Sequence, residues 1–257
     1  LAYLNAHPEC VAVGGAVEHV DAQGHTLVGL PQPGDPADAD AAAAPAREPY
    51  MIHSTLMARR ADVMAVSGYR HVPNSEDSDL FWRLRERGAL IRLPDTLSKY
   101  RVHVESVSSS LQSGRIMALG SQLGALSAMR RKEGRADLAF SLALHEAFKK
   151  APSLRGMFEI GSEGLETREV GHLHIAVACK FMELARYRPF EPNLSDCGFI
   201  RDALQYASTL SARNQNEVTW YVTVTAARLA RKSMIAEALA LTPLKHYPVA
   251  AARMLLG

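Results

Sequence analysis

Ser75-Glu76-Asp77-Ser78-Asp79-Leu80-Phe81-Trp82-Arg83-Leu84-Arg85-Glu86-Arg87-Gly88 is the most informative stretch of this 257-residue sequence. Leu80, Phe81 and Leu84 recur at helical spacing and predict an inward apolar face. Asp79 and Arg83 are four apart, so on a helix they are expected to pair on its surface. Gly88 falls where a left-handed residue closes a helix. Asp77 falls at the helix start, where a carboxylate satisfies free backbone N–H groups and gains from the helix dipole. Glu76 is then a solvated neighbour. Capping alone would explain a Glu-Asp pair in isolation, and the flanking sequence adds a chemical alternative.

Upstream, Tyr50 to Arg59 predicts a strand that contains His53-Ser54-Thr55 and ends at the pair Arg59-Arg60. Ala61 to Ser67 predicts a short helix ended by Gly68, followed by Tyr69-Arg70. Downstream, Leu90-Ile91-Arg92-Leu93 predicts a strand closed by Pro94. A last strand, Leu97 to His103, contains Tyr100-Arg101-Val102-His103 and leads into the serine-rich Ser106 to Ser110. Nearer the start, Cys10 to Val17 is an apolar run of the kind a buried strand shows. Val17 to Val20 and His25 to Leu30 flank the turn signal Asp21-Ala22-Gln23-Gly24 and predict a hairpin. Residues 31 to 49, rich in Pro, Ala and Asp, carry no period and predict a long loop; such loops serve as lids or stay disordered. Strands alternating with short helices predict an α/β layer over residues 1–112.

From residue 113 the helical period takes over. Arg115 to Lys132, Ala136 to Lys149, Glu166 to Tyr187, Phe199 to Ala212 and Glu217 to Arg231 each carry apolar residues three and four apart. No thirty-odd-residue repeat is clean enough for a tetratricopeptide array. The fold class predicted is therefore α/β: a mixed sheet followed by an all-α helical domain over residues 113–257. The helices are expected to form their own core, and the sheet part alone to aggregate.

The ordered series around Asp77 resembles bacterial family-2 glycosyltransferases. In that family a strand with a small polar cluster is followed by an arginine pair and a short helix ending Gly-Gly-Tyr/Phe-Arg. Then come a Glu-Asp-x-x-Leu-x-x-Arg-Leu helix, a glycine turn, and a strand ending Tyr-Arg-x-His before a serine-rich segment. Here Ser67-Gly68 stands for Gly-Gly. The resemblance runs from residue 1 to about 110. It implies the GT-A fold, truncated to its acceptor-side half, and an inverting transfer of a sugar from a nucleotide-sugar to an acceptor hydroxyl in polysaccharide biosynthesis.

It also implies roles. Asp77 matches the general base, which takes the proton of a hydroxyl too weakly nucleophilic at neutral pH. Glu76 would orient the acceptor, and His53, Ser54 and Thr55 would line its pocket; an ordinary strand end explains those three as well. Arg101 and His103 match positions near the diphosphate and a divalent metal, Mg or Mn. Local pairing with carboxylates is the structural alternative for both. The resemblance places the nucleotide-binding half and its Asp-x-Asp ahead of Leu1. The opening Leu1-Ala2-Tyr3-Leu4-Asn5-Ala6-His7-Pro8 reads as the end of a helix already under way, so truncation is expected and the chain alone is not expected to turn over. Asp38-Ala39-Asp40 and Asp77-Ser78-Asp79 are decoys for that motif. Gly14-Gly15 lacks the spacing of a phosphate loop, and His172 and His174 are two apart on a helix and make a poor metal pair.

Composition bounds the alternatives. A content of 47% hydrophobic and 22% charged residues is that of an ordinary globular protein. A net charge of +2, with no basic stripe, argues against nucleic acid. No apolar run reaches the roughly 20 residues a transmembrane helix needs. Cys10, Cys179 and Cys197 lie far apart without CxxC spacing, which fits a reducing compartment, the cytoplasm, with the inner membrane face accessible to a peripheral protein. The partners expected are a nucleotide-sugar donor and a saccharide or lipid-linked acceptor. Two other readings stand beside the transferase. One is a non-catalytic helical interaction protein with a remnant α/β domain; the other is a metal-dependent hydrolase using Glu76, Asp77, Asp79 and His103.

Overall fold

The structure is a computed structural model that describes residues 1–30, 33–102 and 109–256. It is mixed α/β: a small sheet packed beside a larger body of helices. Strand β1 (Cys10–Val20) is central, and Cys10, Val11, Ala12 and Val13 are all buried. That accounts for the unbroken apolar run, since a strand covered on both faces shows no alternation. β2 (Met57–Ala58) pairs with it antiparallel, and β3 (Ala89–Arg101) pairs with it parallel, giving the order β2-β1-β3.

Several sequence expectations change here. Tyr50 to Arg59 is not one strand: His53–Thr55 coils into a 3₁₀ turn and only Met57–Ala58 joins the sheet. The two predicted strands around Pro94 are one. Gly15 pairs with Leu93 and Ala16 with Thr96, so Pro94 and Asp95 form a bulge, where a residue without an N–H costs no ladder bond. The Asp21–Gly24 turn forms, with Gly24 at φ 94. Its second arm makes only the isolated bridge Val20↔Thr26 and no strand. His103 to Ser108, and with them most of Ser106 to Ser110, lie outside the described residues.

Helix α1 (Ala2–Ala6) covers one face of the sheet, where Leu4 packs with Cys10 and Val13. Arg59 ties it down, donating to the carbonyls of Leu4, of His7 (3.2 Å) and of Cys10 (2.9 Å). Helix α2 (Arg60–Ala65) follows, ended by Gly68 at φ 64. Helix α3 (Glu76–Arg85) covers the other face through Leu80, Phe81 and Leu84. Gly88, just after it, is not left-handed. It is glycine because a Cβ there would stand 2.6 Å from the Glu9 carbonyl oxygen.

The helical body begins with α4 (Leu111–Lys132), buried almost all round. Around it lie α5 (Leu142–Lys150), α6 (Leu154–Gly161), α7 (Thr167–Leu184), α8 (Leu194–Ala203), α9 (Ala212–Arg231), α10 (Ile235–Leu241) and α11 (Tyr247–Leu256). Serine caps set several starts: Ser110, Ser141 and Ser153 accept from the N–H of Ser113, Leu144 and Gly156. The cap at Ser141 is why the helix expected from Ala136 begins later. The one expected over Phe199 to Ala212 is instead the end of α8, a 3₁₀ segment Leu204–Thr209, and a new start capped by Ser211. Among the described residues no helix is long and apolar enough to cross a membrane.

Loop 31–49 is packed over much of its described length. Ala43, Ala44 and Ala46 are buried, and the Ala46 N–H donates to Gln122 Oε1 at 2.9 Å. Ala44 joins the helical core. At the same seam Gly120 of α4 lies beneath the Pro73 carbonyl, where a Cβ would approach the oxygen to 2.1 Å. Among the described residues Ala44 is the sole one before 111 in that large core, so residues 113–257 alone should still melt cooperatively as helix, at a lower temperature than the whole chain. Residues 1–112, with small clusters and a sheet of three strands, should aggregate or stay partly unfolded. Circular dichroism melts of the two pieces check this, and a helical piece that melts without a transition would make it part of one integrated domain.

One buried carboxylate in the helical body gives a pH signature. Glu169, 4% exposed, takes Nε and Nη2 of Arg130 at 2.8 Å each and Nη1 of Arg135 at 2.8 Å. The hydrogen bonds from Arg130 lead in holding its carboxyl down to about 2, against an ordinary 4.5. A depressed folded value means stability that is full above about 4.5 and lost as pH falls toward 2. Urea melts across that window should show the loss in the wild type and a flatter profile in Glu169→Gln.

Candidate functional site

The first turn of α3 is held from three sides. Asp79 is fully buried and binds Arg70 in a two-pronged contact and Arg83 at 2.7 Å. The surface pair expected from spacing is thus interior, because α4 covers this face and Gly124 packs against Asp79. Arg83 also donates to the carbonyls of Val66 and Gly68, the end of α2. The spacing from Gly68-Tyr69-Arg70 to Asp79 and Arg83 therefore has a mechanical cause: one carboxylate and two guanidinium groups lock the turn carrying Tyr69 against the helix carrying Asp77. From Arg70 the charges continue outward, through Asp137 (2.8 Å) and Arg131 (3.0 Å) to Glu86 (2.7 Å).

With Asp79 turned inward, Asp77 faces the open side and is half-buried. Its Oδ1 accepts from the Ser78 N–H at 2.7 Å and its Oδ2 from the Tyr50 hydroxyl at 3.2 Å. Burial leads in raising its carboxyl above the ordinary range; Glu76 and Glu48 add to it, and the two hydrogen bonds oppose. The Tyr50 hydroxyl is pushed far up as well, by burial and then by Asp77. Tyr50 stands edge-on to Phe81, ring centroids 5.6 Å apart. Tyr69 is exposed, shares a 2.6 Å hydrogen bond with His53 Nε2, and has its hydroxyl raised by burial, Asp77 and Glu76.

The structure thus gathers Glu76, Asp77, Tyr50, Tyr69 and His53 on one surface. Ser54 is exposed beside His53. Thr55 is engaged elsewhere: its Oγ1 accepts from the Gly15 N–H at 3.1 Å and donates to the Ile52 carbonyl at 2.9 Å, fastening the 3₁₀ turn to β1. Arg101 donates to the carbonyls of Asp21 (3.0 Å) and Ala22 (2.6 Å), bracing the turn after β1. His103 lies outside the described residues.

Among the described residues no group of three or more His, Cys, Asp or Glu could hold a metal ion. Asp40 is taken by Arg47 at 2.8 Å. His174 reaches the Phe199 carbonyl at 3.2 Å, while His172 is bonded to the backbone of Ala41. The residues described therefore do not form a metal centre. A groove of about 480 Å³ on α9, lined by Arg213, Asn216, Glu217, Trp220 and Tyr221, holds none of the Asp77 group. Tyr69 belongs to the Gly68-Tyr69-Arg70 element without a role of its own there, and the spacing of Tyr50 to Asp77 carries no signal until the chain folds.

No family model, no curated protein and no solved structure matches the chain.

Proposed function

We propose that this chain is the acceptor-side part of an inverting glycosyltransferase of the family-2, GT-A type, with residues 113–257 as a helical extension. The observation that carries the reading is Asp77: a half-buried carboxylate on the first turn of a helix, open on one side, held by Tyr50 and kept basic by burial and negative neighbours. A raised carboxyl is a stronger base once ionised, and Brønsted behaviour favours such a group for taking a hydroxyl proton. In this reading an acceptor oxygen attacks the anomeric carbon of a nucleotide-sugar. Its proton passes to Asp77, and the bond to the diphosphate breaks, its electron pair leaving with the phosphate oxygen. The anomeric configuration inverts.

Glu76 and the His53–Tyr69 pair would hold the hydroxyls of a saccharide or lipid-linked acceptor. Release of nucleoside diphosphate from a panel of nucleotide-sugars by the complete protein, with saccharide acceptors present, tests the reading. Release that depends on Asp77 supports it. A panel left intact would overturn it in favour of a non-catalytic interaction protein.

A further inference from the structure

The helical body reaches into the Asp77 site. Lys180 lies on α7, with its side chain 14% exposed. Its Nζ is 2.7 Å from Glu48 Oε1 and 3.1 Å from Glu183 Oε2. Glu48 is itself buried, and its other oxygen accepts from the Ser78 hydroxyl. Ser78 is the residue whose N–H holds Asp77 Oδ1. Four residues thus form one unbroken line from α7 to the carboxylate: Lys180, Glu48, Ser78, Asp77.

We propose that Lys180 is a positioning residue for Asp77, acting through Glu48 and Ser78, so that the site is complete only when α7 is docked against the sheet part. The inference rests on the reading of Asp77 as the base, though its test does not. The physics is that of a buried carboxylate. Glu48 next to the Asp77 turn is tolerable only with a counter-ion, and Lys180 is that counter-ion. Burial works against the ammonium, and Glu183 and Glu48 outweigh it, holding its pKa well above the ordinary lysine value. The charged and titratable groups around the line are Glu76, Tyr50 and Tyr69 at the Asp77 end, and Glu183 and Tyr187 at the Lys180 end. Tyr100 acts on Tyr50, and Tyr221 feels Glu183. Arg188 acts on Tyr187 and Arg186 on Tyr221; Lys180 is the cation in ion-pair contact with Glu48, so its removal leaves the negative charge of Glu48 facing Asp77.

Carboxyl titration by carbon NMR on this chain reads the link directly, with Asp77→Asn identifying the resonance. Lys180→Met should move the Asp77 midpoint to higher pH, and Lys180→Arg should return it. Glu48→Gln should move it to lower pH, and with Glu48→Gln in place Lys180→Met should no longer raise it. A folded Lys180→Met protein with an unmoved midpoint overturns the proposal, as does an equal rise in the Glu48→Gln background. Should Lys180→Met fail to fold, Glu48→Gln, which leaves Lys180 paired with Glu183, decides alone: an unmoved midpoint overturns the proposal. These titrations are independent of turnover. If Asp77→Asn stays active, the base assignment fails while the Lys180 link is still read.

Discussion

Asp77→Asn is expected to lower turnover of the proposed sugar transfer on the order of a hundredfold or more, the usual cost of losing a general base. The same substitution should leave the fold as stable as before or more so. The carboxyl of Asp77 is raised in the folded state, first by burial. A raised folded value means that ionising the group works against folding as pH rises through it, and a neutral amide removes that cost. Opposed effects on activity and stability are the mark of a group kept for chemistry. Turnover assays paired with urea melts of both proteins check the pair of outcomes. Full activity with lost stability would instead make Asp77 a helix-start residue and nothing more.

The largest stability effect is expected two residues along. Asp79→Ala leaves the buried Arg83 without its carboxylate and Arg70 with Asp137 alone, and removing one partner of a buried pair costs about 3–5 kcal/mol. Set against a typical total of roughly 5–15 kcal/mol, that is enough to lower the melting temperature by many degrees. Urea titration measures it. A loss below about 1 kcal/mol would mean that the pair behaves as a solvated surface one, which is what its i,i+4 spacing suggested.

That difference shows where the sequence was legible. Apolar period identified α3, the core of α4 and much of α7 and α9, and the continuous run Cys10 to Val17 identified a strand covered on both faces. The inner face of α3 was readable in Leu80, Phe81 and Leu84. Asp79 was not, because burial of a charged residue depends on Arg70, nine residues away, and on the helix that covers both. The run Leu154–Gly161 was too short to show a period, though Pro152-Ser153 ahead of it carried the start signal. Pro94 reads as a terminator in sequence because a bulge is a property of two strands and one strand's sequence does not contain it. At the candidate site, the Glu76-Asp77 pair and His53 stood out from residue type and order. Tyr50, Glu48 and Lys180 did not, since they meet Asp77 only through the packing of loop 31–49 and α7 against the start of α3.

The line of alternating charges Glu86–Arg131–Asp137–Arg70–Asp79–Arg83 runs from the surface to the interior: Glu86 is 43% exposed and Asp79 is 0%. Dissolved salt screens charges in proportion to their contact with water. Rising ionic strength should therefore loosen this chain from its outer end, freeing Glu86 while leaving the clasp on Asp79 shut. The molecule would carry, along a single thread of side chains, a graded response to the electrolyte around it, soft where α3 ends and unyielding where it begins.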